Sequence, residues 1–316
     1  VLPVVQGTYR VEDTALVPAV ADIVFRIKGG ADAFVAGLKS PALRTVSAIS
    51  LDPSAVKGQV DMQIKLRVPL KPDLLPADVQ VDAEGKLSGF SLEKAFGRER
   101  LDNSVVAINV DRDGTKLSGE GSVAGAPVRF DIVQPANTPK STARIKLTVD
   151  DAWRAKAGMK TAGMLSGPVT VRLDIPDLGA TETAGSAEAD FTAASISGLL
   201  PGWSKPAGKA LKADFKLVMA PKDEILLESL IIEVPSITLK GSVLVAGDGQ
   251  IKSARLSTLK IAKGDNVSAE LERVGAVYRI AVKGEQFDAR PLMKSAFSPS
   301  TGSPAPCARW SWPPTA

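Results

Sequence analysis

The chain has 316 residues, a net charge of +4 at pH 7 and an apolar content of 44%, which together are typical of one or two globular domains. It contains no histidine and one cysteine, Cys307, which excludes histidine-based catalysis, histidine metal sites, thiolate metal clusters and an intrachain disulfide. Only 5% of the residues are aromatic and the basic residues form no cluster, so the composition argues against a nucleic-acid partner.

Alternation of apolar and polar side chains predicts strands along most of the chain. The first clear strand covers residues 21–28, and the most regular one covers residues 56–70, where Met62, Ile64 and Leu66 share one face. Gln63 and Lys65 alternate with them on the opposite face. This pattern is typical of an antiparallel sheet with one apolar and one solvated face.

Residues 101–133 predict three consecutive strands joined by tight turns, with Val106, Ile108 and Phe130 on the apolar face. The turn at residues 111–114 has the sequence DRDG, and its glycine is free to adopt a positive φ. The start of this turn is also similar to a calcium-binding loop, but the terminal bidentate glutamate of such a loop is missing. We therefore interpret the segment as a hairpin.

The second half of the chain repeats the alternation. One strand is predicted at residues 169–175, with Val171 and Leu173 on its apolar face, and another at residues 211–219, with Phe215 and Leu217. Further strands follow as far as residue 282.

Short helices interrupt the strands. The spacing of apolar residues predicts helices at residues 31–38, 150–157 and 288–297, and a single weak helical turn at residues 91–96. Asp150 and Asp151 could form a carboxylate pair, but they open a predicted helix, where a capping role is the better interpretation. The chain is thus predicted to be mainly β, with about 15 strands and three or four short helices.

A weak internal repeat relates GQVDMQIKL at residues 58–66 to GPVTVRLDI at residues 167–175. It suggests two duplicated halves, at about residues 1–135 and 140–297, within one β-rich segment 1–297. Residues 298–316 are rich in proline and serine and are predicted to form a disordered tail.

The apolar face of such a sheet has to be covered, and a few short helices are too small to cover it. The sheet could close on itself and fill its interior with its own side chains. It could instead curl into an open trough whose lining is completed by a ligand, most naturally lipid acyl chains. Large aromatic residues are scarce among the predicted inward positions, which favours the trough.

The segment from about residue 7 to residue 297 resembles the AsmA-like proteins of the Gram-negative envelope, in the branch that includes YhdP and TamB. The resemblance is carried by the order of four stretches along the chain: GTYRVED at 7–13, GQVDMQIKLRVPL at 58–70, LSGEGSVAGAPV at 117–128, and YRIAVKG at 278–284 followed by FDARPL at 287–292.

Membership of the AsmA-like family would imply an elongated, curved antiparallel sheet that forms a taco-like hydrophobic groove. It would also imply a protein that is anchored in the inner membrane by an N-terminal helix and that crosses the periplasm. Such proteins are thought to conduct phospholipid toward the outer membrane. The chain contains no apolar run of about 18 residues, so we expect any membrane anchor to lie outside this fragment.

We therefore predict a non-catalytic lipid-transfer groove with phospholipid as its ligand, no cofactor, and envelope membrane proteins as further candidate partners. The residues expected to contact acyl chains are those of the apolar face: Met62, Ile64, Leu66, Val106, Ile108, Phe130, Val171, Leu173, Phe215 and Leu217. The alternative is a closed β-scaffold for envelope assembly or protein interaction without lipid. An enzyme is disfavoured because no paired acid and base can be placed.

Overall fold

The computed structural model describes residues 3–290, except residues 12, 16, 39–50, 97–98, 137, 160, 162, 179, 181–183, 201–202, 221–223, 236, 248, 263, 276 and 289. The chain divides into two compact units. Unit 1 consists of Val1–Leu147 and Asp174–Thr183, and unit 2 consists of Thr148–Leu173 and Ala184–Ala316.

Unit 1 contains helix α1 (Ala31–Leu38) and two 3-10 turns, Pro53–Ala55 and Pro76–Asp78. The strands that begin in this unit are β1 (Val4–Val11), β2 (Val20–Gly30), β3 (Val56–Pro69), β4 (Gln80–Phe96), β5 (Glu99–Asp111), β6 (Gly114–Val123), β7 (Ala126–Pro135) and β8 (Thr142–Val149).

Unit 2 contains helix α2 (Asp151–Lys156). The strands that begin in this unit are β9 (Leu165–Ser166), β10 (Val169–Ile175), β11 (Ala184–Asp190), β12 (Ser195–Leu200), β13 (Trp203–Lys205), β14 (Lys212–Ala220), β15 (Glu224–Val234), β16 (Ile237–Val245), β17 (Ile251–Lys260), β18 (Asn266–Val274) and β19 (Val277–Gln286).

Sixteen of these strands form one antiparallel sheet in chain order, from β1 through β8, then β10, β11 and β14 through β19. The sheet is not closed, because β1 and β19 lie at its two edges. The three remaining strands form a small sheet in the order β13, β12, β9. The prediction of a mainly β, antiparallel meander is confirmed.

Of the four helical segments predicted from the sequence, two are confirmed, one is wrong and one lies mostly outside the described residues. The helices expected at 31–38 and 150–157 are confirmed as α1 and α2, the two α-helices in the described part of the chain. The helical turn expected at 91–96 was wrong. These residues belong to β4, where Leu92 lies opposite Val56 and Leu101, so cross-strand pairing overrides a weak helical pattern. Of the helix expected at 288–297, residues 289 and 291–297 lie outside the described residues, as does the tail 298–316.

The register of unit 1 aligns its apolar residues into continuous rows across the sheet. Each row crosses β2 to β8 through residues that pair directly with their neighbours. One such row contains Ile27, Met62, Gly85, Ile108, Leu117, Ile132 and Ala143. Because strand side chains alternate between faces, this register places a whole set of apolar residues on one side of the sheet.

The predicted hairpin between β5 and β6 is confirmed. Asp111 ends β5 and its carboxylate accepts a hydrogen bond from the backbone N–H of Asp113 at 2.8 Å. Gly114 begins β6 with φ +134°, and a Cβ at this position would lie 2.1 Å from the carbonyl oxygen of Gln134. The Asp111 carboxylate therefore stabilises a turn, as the hairpin interpretation requires.

Gly119 allows the ring of Phe130 to lie against the backbone of β6. The two residues pair directly across β6 and β7, and a Cβ at Gly119 would lie 2.5 Å from Cζ of Phe130. Phe130 is buried in the main hydrophobic cluster of unit 1, so its ring has little room to move away. The missing side chain at Gly119 is thus what makes space for Phe130.

The opposite face of the same strands carries ion pairs. Asp61 of β3 accepts hydrogen bonds from Nε and the second terminal nitrogen of Arg26 at 2.6 and 2.7 Å, and Lys28 Nζ lies 3.2 Å from the same carboxylate. The hydrogen bond from Arg26 is the main reason why the pKa of Asp61 falls from 3.8 to about 2. The charged residues are thereby held on the solvated face.

In unit 2, α2 is fixed to the neighbouring loop by its first turn. Asp150 caps the helix by accepting from the backbone N–H of Trp153 at 2.8 Å, which confirms the capping interpretation. The buried Arg154 donates to Asp151 at 2.6 Å and to the carbonyl of Gly167 at 2.8 Å. The carboxylate pair at the start of α2 therefore has a structural role.

We expect Gly119→Ala to lower the free energy of unfolding by about 1–3 kcal/mol, because the new methyl group displaces the Phe130 ring from a packed core. Urea denaturation of the full chain measures the effect. The double variant Gly119→Ala/Phe130→Leu serves as the control, since a smaller side chain at 130 relieves the overlap and should make the double variant more stable than the sum of the single losses. Strict additivity would contradict the proposed contact.

We also expect Asp61 to contribute to acid stability. Its pKa is about 2 in the folded chain against 3.8 for the free group, so its stabilising effect is complete above about pH 4 and is lost as the pH falls toward 2. Asp61→Asn should therefore flatten the decline of the unfolding midpoint between pH 4 and pH 2. The carboxyl carbon shift of Asp61, followed by NMR, gives an independent measure, and titration near pH 3.8 would disprove the effect of Arg26.

Candidate functional site

The apolar face of unit 1 encloses an open cavity of about 770 Å³. Its walls come from α1 and from the strands β2 to β8, with two further residues, Leu51 and Leu178. Thr115 and Gln134 are its polar lining residues, and no charged side chain lines it among the residues described. A volume of this size lies within the range of about 300–1,000 Å³ found for small-molecule sites.

Side-chain burial changes systematically along the strands that form this cavity. On β3, Val56, Val60 and Met62 are buried, whereas Ile64 and Leu66 are half-buried. The same change occurs on β5 between Ile108 and Val110, and on β7 between Phe130 and Ile132. In each strand the buried residues lie toward α1, and the half-buried ones lie toward the other end. The cavity is therefore more tightly packed at one end than at the other.

Helix α1 occupies the tightly packed end. It connects to β2 directly, and Ala31 and Val35 are buried against the core cluster while Phe34 packs beside them. Ala31, Phe34 and Val35 all line the cavity, together with Gly37 and Leu38 of the same helix. The helix thus supplies an apolar cover for the closed end.

The opposite end is formed by the turns between the strands and is more exposed. Thr115 near the start of β6 lies directly opposite Gln134 near the end of β7, and both side chains are half-buried. Leu70 and Leu75, in the connection between β3 and β4, are exposed at the same end, with 62% of Leu75 accessible. We refer to this region as the open end of the cavity.

Six of the ten residues expected from the sequence to contact acyl chains line this cavity. They are Met62, Ile64, Leu66, Val106, Ile108 and Phe130. The strand register brings them together, because Met62 and Ile108 both pair with Gly85, and Phe130 and Val106 both pair with Gly119. These six residues therefore belong to one contiguous apolar surface.

The other four residues lie in unit 2 and do not line the unit 1 cavity. Val171 and Leu173 are half-buried on β10, and Phe215 and Leu217 are half-buried on β14, where Leu217 pairs with Leu227 of β15. The structure thus separates the predicted set into two groups, one in each unit.

Several cavity residues were missed by the sequence prediction. The most important are Phe34 and Val35 of α1, with Phe25, Leu87 and Phe90 of the neighbouring strands. A signal for them was present, since Phe25 alternates on the same face as Ile23 and Ile27, and Phe34 and Val35 lie at helical spacing from Leu38. The burial of α1 against the strands could not be read from either pattern.

The buried charged side chains Lys205 and Asp265 of unit 2 form hydrogen bonds with backbone groups of the protein. The Lys205 amino group donates to the backbone carbonyls of Phe191, Thr192, Ala194 and Pro206, over 2.6 to 3.3 Å. Burial lowers its pKa. These contacts use the ammonium protons to satisfy loop carbonyls, which indicates a structural role rather than a nucleophilic one.

The carboxylate of Asp265 is also bound by backbone groups. It accepts from the backbone N–H groups of Ile261, Ala262 and Asp288 at 3.0, 2.7 and 3.0 Å. Burial on its own would raise the pKa of Asp265, but these hydrogen bonds outweigh it and the pKa is lowered. Within the described residues, no group of three metal-ligating side chains comes together.

None of the helices in the part of the chain that the structure describes has both the length and the apolar character needed to cross a membrane.

Comparison with known proteins gives no relative for this chain. No family model, no curated protein and no solved structure matches it. Function must therefore be inferred from the geometry of the cavity and from the sequence pattern.

Proposed function

We propose that unit 1 binds the acyl chain of a lipid in its apolar cavity, as a carrier or conduit and without catalysing a reaction. The single observation that carries this proposal is the cavity of about 770 Å³, whose described lining contains two polar side chains and no charged one. Such a lining can exclude water from a hydrocarbon chain, but it offers no group that could form an ionic contact with a ligand inside.

The length of the cavity suits an acyl chain. Its lining residues come from seven neighbouring strands, β2 to β8, and adjacent strands are about 4.8 Å apart, so the lining extends about 29 Å across the strands. In the direction from the closed to the open end, the lining of β5 runs from Leu101 to Val110, which is about 30 Å at about 3.3 Å per residue. One acyl chain spans half of a bilayer core that is about 30 Å thick, or about 15 Å. The cavity can therefore accommodate a complete chain along its surface.

The energetics favour moderate, exchangeable binding. About 16 methylene groups at about 0.8 kcal/mol each contribute about 13 kcal/mol, and the loss of translational and rotational freedom removes at least about 4 kcal/mol. The remainder is at most about 9 kcal/mol, which corresponds to a dissociation constant of the order of micromolar or weaker. This range would allow a lipid to be both captured and released.

The resemblance to AsmA-like proteins extends the proposal to lipid transfer in the Gram-negative envelope. In that setting the cargo is phospholipid, the protein acts in the periplasm with an inner-membrane anchor outside these residues, and envelope membrane proteins are its partners. The open sheet in chain order supports this reading. A closed scaffold without lipid would need its edge strands to pair, whereas β1 is exposed along almost its whole length.

The proposal is tested with Ile64→Glu, which places a charge on the cavity wall. Burying a charge beside an acyl chain costs about 2.5–3.5 kcal/mol, so we expect the affinity for a fluorescent long-chain fatty acid to fall about 100-fold. Titration of the full chain, followed by the fluorescence of the bound probe, measures the change. Lipid extraction and native mass spectrometry of the purified wild type report what it carries.

Gln63→Glu is the matched control, because it places the same charge one residue away on the exposed outer face. It should bind the probe like the wild type. Leu66→Glu, at a half-buried position nearer the open end, provides a second cavity variant with a smaller folding cost. Equal binding by the two cavity variants and the control, with circular dichroism showing that all are folded, would rule out the cavity as the lipid site.

A further inference from the structure

We propose that the cavity binds its lipid in one orientation, with the methyl end of the acyl chain against α1 and a neutral carbonyl or hydroxyl group at Thr115 and Gln134. This inference rests on the proposed function and adds to it the direction of insertion and the class of ligand. The ligand would be an acyl ester or a long-chain alcohol whose charged part, where it has one, stays outside the cavity.

Among the residues that the structure describes, the lining of the closed end contains no polar side chain. Phe34 and Val35 of α1 face the core cluster that includes Phe90 and Leu101, and all four residues line the cavity. An oxygen atom placed there would lose its hydrogen bonds to water without gaining a partner. The hydrocarbon terminus of a lipid has no such requirement, so it is the part of the ligand that this end accepts.

The open end offers hydrogen bonds. Thr115 and Gln134 form a directly opposed pair across β6 and β7, so their Cβ atoms are about 4.5–5.5 Å apart. Together they present a hydroxyl, an amide carbonyl and an amide NH₂ to the cavity. Among the residues that the structure describes, neither side chain forms a hydrogen bond with another protein group. Both therefore remain available to a ligand.

The two side chains are also neutral, which limits the kind of group they bind. No charged side chain lines the cavity in the described part of the chain, so an ionic headgroup would find no counter-charge within it. An ester carbonyl or a hydroxyl needs only one or two hydrogen bonds and matches what Thr115 and Gln134 provide. The polar end of the cavity therefore fits the neutral linkage region of a lipid.

Tryptophan quenching tests the orientation. Unit 1 contains no tryptophan, whereas the four native tryptophans, Trp153, Trp203, Trp310 and Trp312, lie outside it, and their signal in the parent chain is subtracted as background. Phe34→Trp places an indole at the closed end, and Leu66→Trp places one toward the open end. The probe is lysophosphatidylcholine with bromine atoms either near the carboxyl end or near the methyl end of its acyl chain. It is added to the 316-residue chain at a concentration below that at which the lipid forms micelles.

Bromines near the methyl end should quench the Phe34→Trp indole at least twice as strongly as the Leu66→Trp indole, and bromines near the carboxyl end should show the reverse order. Equal quenching of both indoles, or the opposite order, would overturn the orientation while leaving acyl binding intact. Absence of quenching at either position with either lipid, in folded variants, would instead overturn the proposed function.

A second experiment tests the role of the polar pair. Thr115→Val/Gln134→Leu should weaken binding of a monoacylglycerol about 5-fold or more and leave binding of an unsubstituted alkane of equal length unchanged. Gln63→Leu, which removes an amide from the outer face, is the control and should alter neither affinity. A double variant that binds both ligands like the wild type would show that Thr115 and Gln134 do not contact the lipid.

Discussion

Unit 1 depends on one constraint, that each apolar row of an antiparallel sheet must be removed from water. Direct pairing across β2 to β8 aligns these rows so that their side chains form one continuous surface. At about 25 cal/mol per Å² of apolar area, leaving such a surface exposed would cost tens of kcal/mol. Part of it is covered by α1, a helix of eight residues. In the described part of the chain, residues of the same surface on β2 to β8 form the wall of the cavity.

The difference between a filled core and a cavity arises from small residues and from the position of α1. Ala83, Ala95 and Ala143 line the cavity, where larger side chains would fill part of the space. At Gly119 the space is used by Phe130, so that part of the interior is packed. Among the described residues, no α-helix lines the open end, and Ile64, Leu66 and Val110 are half-buried there. One sheet thus contains both a packed core and an accessible apolar lining.

Charge is segregated from this lining. On the outer face of unit 1, Asp61 is bound by Arg26 and Lys28, and Glu120 lies 3.2 Å from Arg129. The buried ionisable groups of unit 2, such as Lys205 and Asp265, are engaged by backbone groups. Their altered pKa values are explained by local structure and give no support to a catalytic role. The apolar cavity is therefore the feature with the clearest capacity to bind a ligand.

The sequence alone determined the strands, because alternation is a local property that each strand expresses in its own residues. It also predicted α1, the cap of α2 by Asp150 and the hairpin at Gly114, all of which depend on neighbouring residues. Only the tertiary structure decided which apolar residues share a cavity, because that depends on register between strands distant in sequence. It grouped six of the predicted residues in unit 1, placed four in unit 2, added Phe34 and Val35 from α1, and drew residues 91–96 into β4. The closed and open ends of the cavity result from the pairing between strands and from the position of α1. The alternation of apolar and polar residues encodes neither of these.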